Sequence, residues 1–284
     1  MARRSLLFSP ADKPELLRKA PATNADTVCF DLEDAVAPSR KAAGRETVAA
    51  VLSDPEFDPD CEVCLRVNPD AETAAADLDA LDAPARLDAV MVPKVAAPAD
   101  VLAVTDLLSE RGFDVPVIAL CESAAGVLHA EAIAATDGVV ALALGAEDLA
   151  ADIGATRTPE GTEVSHARQQ VVLAGAAAGV DVIDTIYTGI EDGDGLADET
   201  RFALELGYDG KMCIHPSQVG IVNDAFTPDG ERIAWARRIL EAATEATDAG
   251  AGVFRVDGEM VDAPLIAQAE RVRERARASG VWGA

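Results

Sequence analysis

Several short apolar runs in this sequence end in residues that could do chemistry. Asp31, Glu33 and Asp34 stand in FDLEDAV, at the end of the run TVCFDL. Arg66 ends EVCLRV, with Asn68 just beyond, and Lys94 ends AVMVPK. Glu122 and Ser123 follow VPVIALC, Glu147 and Asp148 follow GVVALAL, and His215 ends KMCIH. Carboxylates gathered at one place repel one another unless a cation neutralises them. A hard divalent ion such as Mg2+ accepts one or two carboxylates and fills its octahedron with water and substrate oxygens. Glu122 and Asp148 end neighbouring runs and could meet at one such ion. An arginine among these acids, Arg66, can stabilise a developing oxyanion or form a plain salt bridge. On an acidic chain the same carboxylates also read as helix caps and loop acids.

The histidines are His129, His166 and His215, and no two of them have metal-ligand spacing. His129 and His166 read as helix-surface residues. His215 precedes Pro216 at a helix start and reads as a backbone-orienting group. Ser217 lacks the G-x-S-x-G elbow of a nucleophile. Cys61 and Cys64 make a C-x-x-C pair, but no second pair completes a zinc site. CEVCLRV reads as a strand, so these are packing thiols.

What positions the polar residues is an alternation of apolar runs and helical patterns. The runs are SLLFS, TVCFDL, EVCLRV, AVMVPK, VPVIALC, GVVALAL, DVIDTIY and KMCIH. They are continuously apolar rather than alternating, the mark of a parallel sheet covered by helices. Stretches such as PELLRKA, SRKAAGRETVAAVL, PADVLAVTDLLSERG and SAAGVLHAEAIAAT are the covering helices. The pattern predicts an α/β fold, a closed (β/α)8 TIM barrel over residues 1–226, whose strand ends share one catalytic face. An open doubly wound sheet is the alternative. It would carry a Gly-rich phosphate loop after the first strand, where this chain has FSPADKPELL. Residues 227–284 read as a C-terminal helical extension: a long helix with Thr227 or Asp229 near its start, a short connection GVFRVDGEMVDAP, and a last helix PLIAQAERVRERARASG.

The 284 residues carry 50 Asp+Glu against 24 Lys+Arg, a net charge of −26. Such a surface repels phosphate backbones and argues against nucleic-acid binding. No apolar run is long enough for a membrane span, and the N-terminus lacks the apolar core of a signal peptide. An odd cysteine count without a leader fits reduced thiols in a cytoplasm. Lysine is confined to positions 13, 19, 41, 94 and 211. Acidity with lysine depletion suggests a halophilic protein, since salt screens carboxylate self-repulsion.

Taken in order, RSLLFSPADKPELLRKA, VCFDLEDAVAPSRKAAGR, LRVN, VMVPKV, ESAAG, LGAEDLAADIG, GYDGKMCIHPSQV and GEMVDAPLI resemble the citrate lyase beta-subunit-like group of the HpcH/HpaI aldolase family. The group includes malyl-CoA lyases and malyl-CoA thioesterases. The stretches run from residue 4 to residue 266, nearly the whole chain. The segment DTIYTGIEDGDGL departs from the version common after strand 7 in malyl-CoA lyases.

The resemblance implies a TIM barrel with a C-terminal lid, assembled as a homotrimer or hexamer. It assigns Glu122 and Asp148 to Mg2+, with Mn2+ as an alternative ion. It assigns Arg66 to the enolate and oxyacid oxygens. The backbone at Glu147 and Asp148 would contact the oxo acid, with Ile214 and His215 close to the substrate. Phe8, Lys13 and Lys19 would line a coenzyme A site. Asp262, in MVDAP, would be the lid acid/base acting on the neighbouring subunit. The expected activity is carbon–carbon cleavage of malyl-CoA, methylmalyl-CoA or citramalyl-CoA to glyoxylate or another oxo acid plus acyl-CoA. The alternatives are thioester hydrolysis at the same site, or service as a citrate lyase beta-like subunit with an acyl-carrier protein.

Overall fold

The computed structural model describes residues 3–82, 85–248 and 253–283. Eight parallel strands close a barrel in chain order: β1 (Ser5–Pro10), β2 (Thr27–Asp31), β3 (Glu62–Arg66), β4 (Ala89–Val92), β5 (Val117–Cys121), β6 (Val139–Leu144), β7 (Asp181–Asp184) and β8 (Gly210–Cys213). The closing pair is β1 with β8, in register Ser5↔Lys211 to Leu7↔Cys213. The strands match the eight apolar runs, and the open-sheet alternative is excluded.

The strands are apolar on both faces over most of their length because both faces are buried. Leu6, Cys29, Cys64, Met91, Ile118, Leu120, Ala143, Ile183 and Met212 fill the barrel interior. Their neighbours Leu7, Val28, Phe30, Val63, Leu65, Val90, Leu142 and Val182 are equally buried, as a covering helical layer requires. Cys29 and Cys64 lie opposite each other across β2 and β3. All five cysteines are free thiols.

The helices are α1 (Pro14–Lys19), α2 (Lys41–Leu52), α3 (Ala71–Asp79), α4 (Pro98–Glu110), α5 (Ala124–Leu128), α6 (Ala130–Ala134), α7 (Ala146–Asp152), α8 (Ser165–Ala178), α9 (Gly193–Leu206) and α10 (Pro216–Phe226). SAAGVLHAEAIAAT, expected as one helical stretch, forms α5 and α6. The break falls at His129 (φ −102°, ψ 8°), where the ring Nδ1 lies 2.7 Å from the Ala96 carbonyl. His129 and His166 are exposed, as expected. At the other end of the barrel, a Cβ on Gly210 would stand 1.8 Å from the Arg3 carbonyl oxygen. Only glycine permits that approach of β8 to the incoming chain.

The chain divides into two compact units, Arg3–Asn223 and the residues from Asp224 onward. The second holds α11 (Gly230–Asp248), β9 (Phe254–Val256), β10 (Glu259–Val261) and α12 (Ala263–Ala278). It has an apolar core of its own, with Ala236, Ile239, Val261, Ala269 and Val272 against Trp235 and Trp282. Asp229 caps α11, accepting from the Arg232 amide at 2.7 Å. The connection expected between the helices is a hairpin. Asp257 and Gly258 form its two-residue turn, with φ of 52° and 90°. Asp-Gly is the favoured pair for a turn with both residues at positive φ.

Candidate active site

At the carboxyl ends of the strands a linked set of charges spans β2 to β6. Asp31, buried at the end of β2, takes both Nε and Nη2 of Arg66 at 2.8 and 2.6 Å. The same carboxylate accepts from the Glu33 amide at 2.8 Å and so holds the loop after β2. Glu33 is buried and lies 3.1 Å from Arg66 Nη1. Its other oxygen accepts from Lys94 Nζ. Burial opposes the charge on Arg66, but Asp31 and Glu33 outweigh it and raise the guanidinium above its ordinary range. The guanidinium also lies 4.6 Å over the Phe8 ring.

Lys94 follows β4 with φ at 54°, a region that lysine seldom occupies. In that conformation its amide donates to Glu122 Oε1 at 2.8 Å. Glu122 is buried directly behind β5. Burial pushes its carboxyl up to about 7, against the Lys94 hydrogen bond, and the charges of Asp148 and Glu33 push the same way as burial. Gly145, between β6 and α7, makes room for it: a Cβ there would stand 2.6 Å from Glu122 Oε2.

Asp148 and Glu147 lie in the first turn of α7 and diverge. Asp148 is exposed at the mouth. Glu147 accepts from Arg157 Nε at 2.9 Å. Thr185, after β7, is buried and accepts from the Ala146 amide at 3.1 Å. These groups line a cleft of about 60 Å3, together with Phe8, Leu120, Ile186 and Met212. A larger cavity of about 740 Å3 shares Glu147 and Ile186 and runs towards Tyr187, Arg168 and Phe202.

Of the residues singled out from the sequence, Phe8, Arg66, Glu122, Glu147 and Asp148 line this one cleft. Lys13 and Lys19 flank α1 and are exposed. Ile214 and His215 lie beyond β8 with partly or fully exposed side chains. His215 Nδ1 accepts from the Ser217 amide at 3.2 Å and lies 2.7 Å from Ser217 Oγ, the backbone-orienting role expected of it. Asp262 belongs to the second unit, where it caps α12 and accepts from the Leu265 amide.

Sequence reasoning noted Asp31, Glu33 and Lys94 at strand ends without giving them a role. It missed two supports altogether. Lys41 Nζ donates to the Leu32 and Glu33 carbonyls at 2.6 Å and pins the loop after β2. Gln218 accepts from the Ile214 amide at 2.9 Å and donates to the Tyr187 carbonyl at 2.8 Å, tying β8 to the loop after β7. A lysine in DAVAPSRKAAGR and a glutamine two residues after a proline carry no signal beyond a helix start.

Among the described residues, no cluster of three or more His, Cys, Asp or Glu side chains is arranged around a metal position. The pair Glu122 and Asp148 nevertheless fits a hard cation. Both donors are oxygens, the first is buried, and a cation relieves the repulsion that helps hold its proton on.

The sequence profile described as HpcH/HpaI aldolase/citrate lyase matches residues 4–216. Citrate lyase subunit beta of Haemophilus influenzae is 37% identical over 288 residues, covering 98% of this chain and 98% of the relative. (3S)-malyl-CoA thioesterase of Cereibacter sphaeroides is 35% identical over 99% of this chain and 97% of its own. The crystal structure of CitE from Mycobacterium tuberculosis with magnesium, acetoacetate and coenzyme A superposes with a TM-score of 0.80. It is 38% identical, over 97% of this chain and 98% of that one.

Proposed function

The chain belongs to the HpcH/HpaI aldolase/citrate lyase family, and on that premise we propose that it is a Mg2+-dependent carbon–carbon lyase. Its substrate is a short 3-hydroxyacyl-CoA such as malyl-, methylmalyl- or citramalyl-CoA. The observation that carries the reading is the buried Glu122 beside Asp148, with Arg66 across the same cleft.

Glu122 and Asp148 would hold the ion, which would supply polarisation of the substrate's hydroxyl and carboxylate oxygens. A base takes the hydroxyl proton and the C–C bond opens. The oxo acid departs, and the electron pair stays on the thioester fragment as an enolate. Arg66 stabilises the enolate oxygen with the N–H groups that Asp31 and Glu33 leave free. Asp262, brought by the lid of a neighbouring subunit in a trimer or hexamer, protonates the enolate carbon to give acyl-CoA. In the condensation direction it removes that proton. The backbone at Glu147 and Asp148, with Ile214 and His215, contacts the oxo acid. Coenzyme A runs past Phe8, Lys13 and Lys19. With the lid closed, water is kept from the thioester.

Thioester hydrolysis at the same site is the second reading, favoured by the likeness to the (3S)-malyl-CoA thioesterase. The likeness to citrate lyase subunit beta favours a third, a subunit acting with an acyl-carrier protein. The lyase reading is tested by following glyoxylate release from malyl-CoA as its phenylhydrazone, with Mg2+ and after chelation. Release should stop on chelation and return with added Mg2+. A rate that survives chelation would sink the metal-dependent mechanism.

A further inference from the structure

Lys94 touches both halves of the charged set and belongs to neither. Its backbone amide holds Glu122, on the metal-binding side. Its Nζ holds one oxygen of Glu33, whose other oxygen lies 3.1 Å from Arg66 Nη1. Lys94 makes both contacts with a positive φ of 54°, where the chain turns after β4. A lysine has no intrinsic reason to be there, so the surroundings over-determine it. Arg66 and Lys94 face Asp31, Glu33 and, 3.8 Å from the ammonium, Asp34, so the negative charge of Glu122 and Asp148 is left without a cation of its own.

Resting on the reading of Glu122 and Asp148 as metal ligands, we propose that Lys94 is a positioning residue with two separable jobs. The backbone N–H orients Glu122 for the metal. The ammonium takes one oxygen of Glu33, so that Arg66 meets only the other and the guanidinium keeps donors free for an anionic oxo acid or enolate. Without the ammonium, the second Glu33 oxygen would also turn to Arg66 and compete with the ligand for the same N–H groups. Without the left-handed turn, the amide would swing away from Glu122.

Three variants separate the jobs. Lys94→Gly keeps the turn and the amide and removes the ammonium. Lys94→Arg keeps a cation at the end of the side chain. Lys94→Val removes the cation and opposes the turn, because a β-branched residue resists positive φ. Calorimetry would measure Mg2+ affinity, then pyruvate affinity at saturating Mg2+, with thermal unfolding as the control for folding. Lys94→Gly should bind Mg2+ like the parent and bind pyruvate at least about tenfold more weakly. Lys94→Arg should recover most of that loss. Lys94→Val should also lose about tenfold or more in Mg2+ affinity.

Unchanged pyruvate affinity in Lys94→Gly overturns the side-chain role. Unchanged Mg2+ affinity in a folded Lys94→Val overturns the backbone role. If the parent binds Mg2+ but releases no oxo acid from malyl-, methylmalyl- or citramalyl-CoA, the lyase reading fails while the two affinities still decide the role of Lys94. A parent that binds no Mg2+ removes both.

Discussion

Glu122 without a metal ion is a carboxyl that titrates near neutrality, because burial and then the charges of Asp148 and Glu33 lift it to about 7. An unfolded glutamate ionises near 4.5. The folded, metal-free chain is thus the tighter proton binder, and it loses stability as pH rises from the lower value through the higher one. A metal competes with that proton. Mg2+ affinity should rise with pH up to about 7 and level off above it, with proton release on binding below that point. Calorimetry in buffers of different ionisation enthalpy reads both, and a flat profile would count against Glu122 as a ligand. Glu122→Gln should abolish Mg2+ binding. Asp262 calls for a particular substitution, because it caps α12. Asn caps as well as Asp does, whereas Ala costs about 1 kcal/mol. Asp262→Asn should therefore keep its melting temperature and ligand affinity and lose turnover. Full activity in that variant removes the acid/base role. Arg66 and Glu122 stand out in the sequence because they end or directly follow an apolar run, and Asp148 because it lies shortly after one. Lys94 was legible only as the end of a run and Gln218 not at all, because their contacts join the ends of successive strands through the backbone.

The strands were the most legible elements, since burial on two faces writes an unbroken apolar run for each. The β9–β10 hairpin was illegible by that criterion. Its strands have three residues each and are largely exposed, so no apolar run marks them. The signal present was Asp257-Gly258, a turn pair between short strands. The α5–α6 break left no mark either, since a helical histidine and a helix-ending one look alike in sequence. Between β7, β8, α8 and α9 lies a charge network that the strand runs conceal. Asp184 meets Lys211 at 2.8 Å and Arg168 at 2.7 Å, and all three are buried. Burial alone would raise the Asp184 carboxyl, but Lys211 and Arg168 outweigh it and hold it below the usual aspartate range. Its stabilisation is therefore present at neutral pH and is lost only as the pH falls below that range. Lys211→Met should cost about 3 kcal/mol by urea unfolding. It should leave Mg2+ affinity unchanged, because Lys211 lies outside the cleft. A loss below about 1 kcal/mol would show that Arg168 alone satisfies Asp184.

For the whole molecule, the charge of −26 is the dominant physical fact. Among the described residues no helix is long and apolar enough to cross a membrane. Of these carboxylates, Glu122, Asp148 and Asp262 are the ones we propose for chemistry. If the excess is an adaptation to salt, the melting temperature should climb steadily between about 0.1 and 1 M KCl, where the Debye length falls from roughly 10 to 3 Å. A temperature independent of KCl would contradict the halophilic reading. A coenzyme A thioester is anionic, so the KM for malyl-CoA should fall over the same range, as screening lets it approach a surface of like charge. The central claim is that the bond broken is carbon–carbon and not the thioester. It is tested most directly by incubating purified protein with malyl-CoA and Mg2+ in high salt and separating the products by chromatography. The account predicts glyoxylate and acetyl-CoA in equal amounts, with neither malate nor free CoA above the uncatalysed rate. Malate and free CoA in equal amounts, without glyoxylate, would contradict it.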